Sequence, residues 1–482
     1  MTTRIFAAAI VIALLALPCE ASAQTDTGRI FRAGASATNI TPAIGTSING
    51  NFSDETVKHI HDETHVRCIV LDDGNTRLAI AVADLCMVSR ATLDSAKRRA
   101  SVVTRIPVEN MLISATHTHS GGTACSVFQS DPDPAYLLFL QNRIADAIIS
   151  AHNNLAPARI GWGAGSEPGQ VFNRRWKMKP GTLLINPFGD TDRVKMNPGV
   201  GNLNLLEPAG PTDPGISVVS IQALDGSPVA VLANYSLHYV GGVSKGDVSA
   251  DYYGMFADRM SQLLNTNRQY NQFVAIMSNG TSGDVNNINF GAVSSVSSPP
   301  YHQMQKVANI IAAEVYKVMQ QIQYQNWVPL NVMQKQIALK VRKPDKADII
   351  RAKTILSEVK QSILTTAEAL YARETVLIND YPNQVSLLLQ AMRIGDLAIT
   401  AIPCEVFAET GLEIKAKSPF PSTFTVSLAN GYNGYLPTPA QHGLGGYETW
   451  RARSSYLETD ASVKITQSLF EILHLLNKEK QP

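Results

Sequence analysis

Short apolar runs of strand length alternate with stretches of helical spacing along most of this chain. That alternation restricts the fold more than any other feature. Cys68–Leu71 and Leu78–Val82 flank the turn Asp72-Asp73-Gly74-Asn75 and read as a hairpin. Ser89–Val103 has helical spacing, Asn110–Ala115 reads as a buried strand, and 134–153 is helical with Pro134 tolerated near its start. The pattern continues with a strand at 159–165, strands either side of Asp225-Gly226 within 218–237, and helices at 250–264 and 302–323. A long helical stretch is expected over 345–377, two strands around Ile394-Gly395-Asp396 within 385–402, a strand at 424–428 and a helix at 460–477. Lys177–Asp213, rich in Pro, Gly, Asn and Asp, reads as a long irregular loop. Such alternation predicts an α/β (or α+β) domain of mixed β-sheets flanked by helices, with nothing marking a second domain.

The first residues, MTTRIFAAAIVIALLALPCEASAQ, read as a signal peptide. Arg4 supplies the basic start, Phe6–Leu17 an apolar stretch too short to span a bilayer, and Ala21-Ser22-Ala23 a small-residue cleavage site. The expectation is a secreted or periplasmic protein of residues 24–482 with no transmembrane segment. A formal net charge of +1 with 17% charged residues argues against nucleic acid as a partner. Of five cysteines, Cys19 leaves with the signal. Cys68, Cys86, Cys125 and Cys404 are scattered without a CxxC pair, so they are either disulfide partners or buried thiols.

Only 10 histidines occur in 482 residues, and two stand one residue apart in "ISATHTHSGG". On an extended strand, His117 and His119 would face one side, as metal ligands or as polar residues capping the strand. His238 follows the apolar run 229–237 and precedes Gly241-Gly242, the same context of strand, histidine and glycine turn. It is either a site residue or a core histidine. Ser249 or Asp251 is a candidate helix cap. In "SNGTSGDVNN", Asp284 either orients a ligand histidine or serves turn chemistry. Glu405 stands where an apolar strand meets a helical run, as a helix-start charge or a site group. Tyr432, Tyr435 and Tyr447 cluster with glycines on a loop, which fits a pocket wall or reactive hydroxyls.

These segments, in this order, resemble the neutral/alkaline (non-lysosomal) ceramidase family. The resemblance rests on "ISATHTHSGG", "FNRRW", "ANYSLHY" with "VSADYYG", "SNGTSGDVNN", "IPCEVFAETG" and "LANGYNGYLPTPAQHGLGGYE", preceded by "SATNITP". It implies a single zinc-hydrolase catalytic domain over 24–482, without the C-terminal immunoglobulin-like domain of long ceramidases. The implied activity is zinc-assisted hydrolysis of the N-acyl bond of ceramide or a related lipid amide. Carried over residue by residue, His117, His238 and Glu405 look like zinc ligands and Tyr435 like the phenolic ligand. His119 looks like the catalytic histidine, Arg174 like the substrate-contacting arginine, and Tyr447 like a second active-site tyrosine. The chain departs from the family around these positions: Gly122-Thr123-Ala124 follows Ser-Gly, Arg175-Trp176 follows Arg174, and Tyr239-Val240 follows His238. Two other readings remain open: the same metal site acting on a different amide or ester, and a non-catalytic ligand-binding protein on this fold.

Overall fold

The computed structural model describes residues 29–266, 273–294 and 298–478; the signal-peptide reading falls outside them. Eight strands form the main sheet: β1 (Arg32–Asn39), β2 (His65–Asp72), β3 (Arg77–Ala83), β4 (Met111–Ala115), β5 (Ala156–Ser166), β6 (Gly215–Ala223), β7 (Pro228–Tyr235) and β8 (Val274–Asn279). Their order is β8-β7-β6-β5-β1-β2-β3-β4. The inner neighbours are antiparallel, while the outer pairs β7/β8 and β3/β4 are parallel. A second sheet runs β9 (Leu330–Lys340), β10 (Gln384–Ile394), β11 (Leu397–Ala401) and β12 (Ser422–Val426), with β11/β12 parallel.

The two sheets pack face to face, and the period of two assigns every core side chain to a layer. Ile69, Leu71, Ile80, Val82 and Leu232 meet Met392, Ile394, Ile399, Phe424 and Val426 between the sheets. On the outer face of the main sheet, Cys68, Val70, Ala79 and Ala81 pack on helices 90–104 and 134–153. Val218, Val231 and Ala233 pack there on helices 251–263 and 302–319. Leu387, Leu389 and Ala391 back the second sheet onto helix 461–478. The strands β2, β3 and β4 are therefore buried on both faces along most of their length, which is why they read as continuous apolar runs.

Each parallel pair is joined through a helix: 90–104 between β3 and β4, 251–263 between β7 and β8, 408–417 between β11 and β12. A strand–helix–strand unit leaves its loops at the carboxyl ends of its strands, where ligands of open α/β sheets bind. The segment after β12 ties these ends together. Ser427 N donates to Asn279 O (3.0 Å), Ala115 N to Leu428 O (3.2 Å) and Asn430 N to Ile113 O (2.7 Å).

Two expectations are corrected. Lys177–Asp213 is not wholly irregular: Val194–Met196 and Leu205–Pro208 flank Arg175–Met178 in a three-stranded sheet. Their partner is remote along the chain, so local composition conceals them. The stretch 345–377 is two helices, 346–358 and 367–379, because Thr366 caps the second by accepting from Ala369 N. At the start of helix 251–263, Ser249 Oγ accepts from Asp251 N (3.0 Å), as the cap reading expects, while the Asp251 carboxylate also accepts from Val240 N and Gly241 N and fixes the loop behind His238. All four cysteines described are unpaired thiols, three of them buried.

Candidate metal centre and active site

The carboxyl ends of the parallel pairs deliver the predicted residues to one place. His117 lies two residues past β4, His238 three past β7 and Glu405 four past β11. The expectation that His117 and His119 share the face of an extended strand is corrected. The strand ends at Ala115, and His117 adopts a left-handed backbone (φ +79°) that re-aims its side chain. Two hydrogen bonds to the β3 side, Thr116 N to Ala83 O and His117 N to Leu85 O (2.9 Å each), hold the turn.

Backbone carbonyls fix the tautomers. His117 Nδ1 lies 2.8 Å from Cys86 O and His238 Nδ1 3.0 Å from Ser282 O. A carbonyl only accepts, so each Nδ1 carries the proton and each Nε2 presents a lone pair. Those Nε2 atoms are 3.0 Å apart, and Glu405 Oε2 lies 3.2 Å from His117 Nε2 and 3.9 Å from His238 Nε2. Glu405 Oε2 is buried and has no hydrogen-bond partner among the described residues. Three electron-rich atoms so placed repel unless positive charge sits among them. A proton on His117 is one source: burial opposes its charge, but Cys86 and Glu405 outweigh burial and hold its pKa well above the ordinary value. A divalent cation is the other, and two imidazoles with one carboxylate form a donor set suited to zinc with a position left open.

The remaining predicted residues surround this group. Glu405 and Tyr435 face each other in a two-residue parallel ladder, so their side chains lie side by side. Arg174 Nη2 donates to Tyr435 OH (3.1 Å) and to Gly283 O (2.9 Å), and its Nη1 approaches His238 Nε2 (3.2 Å). Burial works against charge on Arg174, but Tyr435 and Glu448 offset it and keep the guanidinium charged. His119 Nε2 lies 3.3 Å from His117 Nε2. Burial, then His117 and Arg174, push the His119 pKa well below its ordinary value, so the ring is neutral. Tyr447 packs edge-on to Tyr435 with ring centroids 5.7 Å apart. A cavity of about 140 Å³ opens here between Phe52, Phe128, Met196, Arg174, Tyr435 and Tyr447, with His119 and His238 in its wall.

A sequence model described as "Neutral/alkaline non-lysosomal ceramidase, N-terminal" matches residues 31–313, more than half of the chain. The chain belongs to this ceramidase family. Its similarity to a neutral ceramidase A of Dictyostelium discoideum is 24% identity over 245 residues, 47% of this chain and 31% of that protein. A neutral ceramidase of Mycobacterium tuberculosis is 29% identical over 150 residues, 29% of this chain and 23% of the relative. The matched stretches thus span a third or less of those relatives' lengths. The fold is that of the crystal structure of neutral ceramidase from Pseudomonas aeruginosa: TM-score 0.70 at 17% identity, covering 94% of this chain and 75% of that one. A structure titled "Ceramidase complexed with C2" superposes equally well, at 16% identity with 94% and 76% covered. Among the described residues, no helix of this ceramidase-family chain is long and apolar enough to cross a membrane.

Several contributors were missed in the sequence. Tyr432 OH donates to Glu405 Oε1 (2.9 Å); the NGYNGY repeat offers two tyrosines, and the sequence pairs neither with Glu405. Glu448 is wholly buried and accepts from Arg174 Nε (2.8 Å) and Arg175 Nη1 (2.6 Å). The Arg175 departure is therefore structural, completing this ionic core. Tyr239 stacks on His119 at 3.7 Å, nearly parallel. Gly50 (φ +115°) lies against His119: a Cβ there would come within 2.5 Å of His119 Cγ. Of the two readings of Asp284, orientation of a ligand histidine is not seen: its carboxylate accepts from Asn173 Nδ2 (2.8 Å) and Ala408 N (2.9 Å). It fastens the arginine segment to helix 408–417.

Proposed function

We propose that this chain is an exported, zinc-dependent amidohydrolase that cleaves the N-acyl bond of ceramide or a related amide, residues 24–482 forming one catalytic unit. The observation that carries the reading is the convergence of His117 Nε2, His238 Nε2 and Glu405 Oε2, with fixed tautomers and an unsatisfied buried carboxylate oxygen. Family membership supports the amide chemistry, and the N-terminal sequence supports export. A zinc ion held by His117, His238 and Glu405, with Tyr435 adjacent, would supply Lewis acidity toward an amide carbonyl and toward water.

The chain's own groups divide the rest of the work. Arg174 is charged, buried and clamped by Glu448 and Gly283 O, so its positive charge is already in place for the oxyanion that forms when the carbonyl is attacked. Tyr435 and Tyr447 present further hydroxyls to the same cavity. His119 is neutral, so the ring is fitted to take a proton from water and pass it to the leaving nitrogen.

The test is metal analysis of protein purified without chelator, joined to assays on a ceramide, a simple N-acyl amine and an ester. Zinc near one equivalent and amide turnover are expected, with both lost in a folded His117→Ala protein. Inertness toward every amide, or undiminished turnover by folded His117→Ala, refutes the proposal.

A further inference from the structure

Phe128 carries a bulky side chain yet has a left-handed backbone, φ +45°. Such a conformation persists where the surroundings over-determine it, and it gathers at functional sites. Across this turn Val127 N donates to Ser130 O (3.2 Å) and Ser130 N to Val127 O (3.1 Å). The Phe128 carbonyl accepts from two guanidiniums, those of Arg373 and Arg453. Glu374, 1% exposed, grips Arg453 in turn, accepting from its Nε (2.9 Å), Nη2 (2.8 Å) and backbone N (3.1 Å). Gln129 Nε2 donates to Phe52 O and Leu364 O (3.0 Å each), and its Oε1 accepts from Leu364 N (2.8 Å).

What these bonds fix is one ring. It packs edge-on against Phe52, with centroids 4.8 Å apart, and against Tyr371 at 6.0 Å. It borders the cavity that holds Arg174, His119 and His238, and also the smaller pocket against His117, Glu405 and Tyr432. A substrate carbonyl has to reach the group formed by His117, His238 and Glu405, so the carbon attached to it comes against this ring. A side chain on a loose turn would give way to added bulk there. Phe128 is restrained in both backbone and ring and cannot step aside without breaking the bonds that hold it.

Resting on the amide-hydrolase reading, we propose that Phe128 is a specificity-determining residue that disfavours branching on the carbon beside the substrate carbonyl, and that Glu374, Arg453 and Arg373 are positioning residues that set its ring. Arg373 and Glu374 belong to helix 367–379, which gives no ligand to the proposed metal centre. That helix thereby takes a part in substrate choice, acting through the Phe128 carbonyl rather than by contact with the reacting atoms.

The experiment compares N-propyl butanamide with N-propyl pivalamide, which share the amine and differ in branching at that carbon, on the full chain loaded with zinc. The ratio of their kcat/KM values is read against that of the wild type, which cancels intrinsic reactivity and the active fraction. Butanoate and pivalate binding is measured calorimetrically in parallel. Phe128→Ala is expected to shift the ratio toward the branched amide by about tenfold or more, and Glu374→Gln by about threefold or more. Arg373→Gln, at a side chain 31% exposed, should shift it the same way and serves if the buried substitution does not fold. A merely structural role would lower stability and leave the ratio alone. An unchanged ratio in folded Phe128→Ala, or a gain confined to the nitrogen-branched N-tert-butyl butanamide, overturns the specificity role. An unchanged ratio in the folded clamp variants overturns the positioning role. The two readings separate. A preference for butanoate over pivalate that depends on Phe128, without any amide turnover, keeps the ring's role and removes the hydrolase. Amide turnover with selectivity indifferent to Phe128 does the reverse, and absence of both removes both.

Discussion

Glu448→Gln is the sharpest probe of the ionic core behind the site. Glu448 has no exposed side-chain surface and is shared by two buried guanidiniums, those of Arg174 and Arg175. Gln keeps the shape but removes the charge, and its NH2 must meet an arginine N–H, donor against donor. Breaking a buried ion pair from one side costs about 3–5 kcal/mol, because the stranded charge remains desolvated. That is a large part of the roughly 5–15 kcal/mol that holds a typical domain. The predicted loss in chemical unfolding at pH 7, followed by tryptophan fluorescence, is therefore about 3–5 kcal/mol. Adding Arg175→Met should recover about 1–3 kcal/mol of it. The sign with pH follows from Glu448 itself. Burial raises its pKa, but Arg175 and Arg174 more than reverse this and hold it below the ordinary value. Its contribution is thus present above the unfolded carboxylate pKa and lost as pH falls from about 4.5 through the lower folded value. The gap between native and Glu448→Gln proteins should narrow over that acid range. A loss below about 1 kcal/mol at pH 7, with no coupling to Arg175, would show that the guanidiniums are satisfied without it.

Tyr432→Phe deletes the O–H that orients Glu405, so zinc affinity measured by chelator competition should fall about 10–100-fold; unchanged affinity would remove Glu405 from the ligand set. Gly50→Ala should lower kcat/KM about 10–100-fold while circular dichroism stays native, because the new methyl displaces His119. Lys97 is buried, donates to Asn430 Oδ1 (2.7 Å), and has its pKa pushed down by burial to about 8. Its folded form thus binds fewer protons than the unfolded chain between about 8 and 10.5, so stability should rise with pH across that window. Lys97→Met should abolish that rise and stabilise the protein by about 1–2 kcal/mol at pH 7; identical pH profiles would refute the assignment.

Elements whose cause is local were legible in the sequence. The hairpin about Asp72–Asn75 and the helix over 134–153, with Asp133 capping and Pro134 in its first turn, need nothing beyond their own residues. Elements whose cause is remote were not. The strands at 194–196 and 205–208 exist because Arg175–Met178 runs between them. The break between helices 346–358 and 367–379 shows the opposite limit: the Thr366 cap was visible, but continuous helical spacing masked it. For the candidate site, residue identities were carried by motifs in order; Tyr432, Tyr239 and Glu448 lie inside those same motifs, but each tunes a residue of a different motif (Glu405, His119 and Arg174), and Gly50 lies outside them, so only the fold shows the pairings.

The left-handed turn at His117 shows why motif and geometry must be read together. A strict strand would place His117 and His119 on one face, with both rings equivalent. The turn makes them unequal. His117 is held at Nδ1 by a backbone carbonyl and points its Nε2 at His238 and Glu405. His119 is held by contact, with Gly50 against it and the Tyr239 ring stacked on it. A ligand must keep one lone pair fixed, so a carbonyl on the opposite nitrogen serves it well. In the proposed reading His119 is the proton carrier, and packing restrains its ring while its Nε2 stays within 3.3 Å of His117 Nε2. In the proposed reading, the backbone strain at His117, of order 1–3 kcal/mol for such a residue, is the cost of giving two histidines one residue apart different tasks.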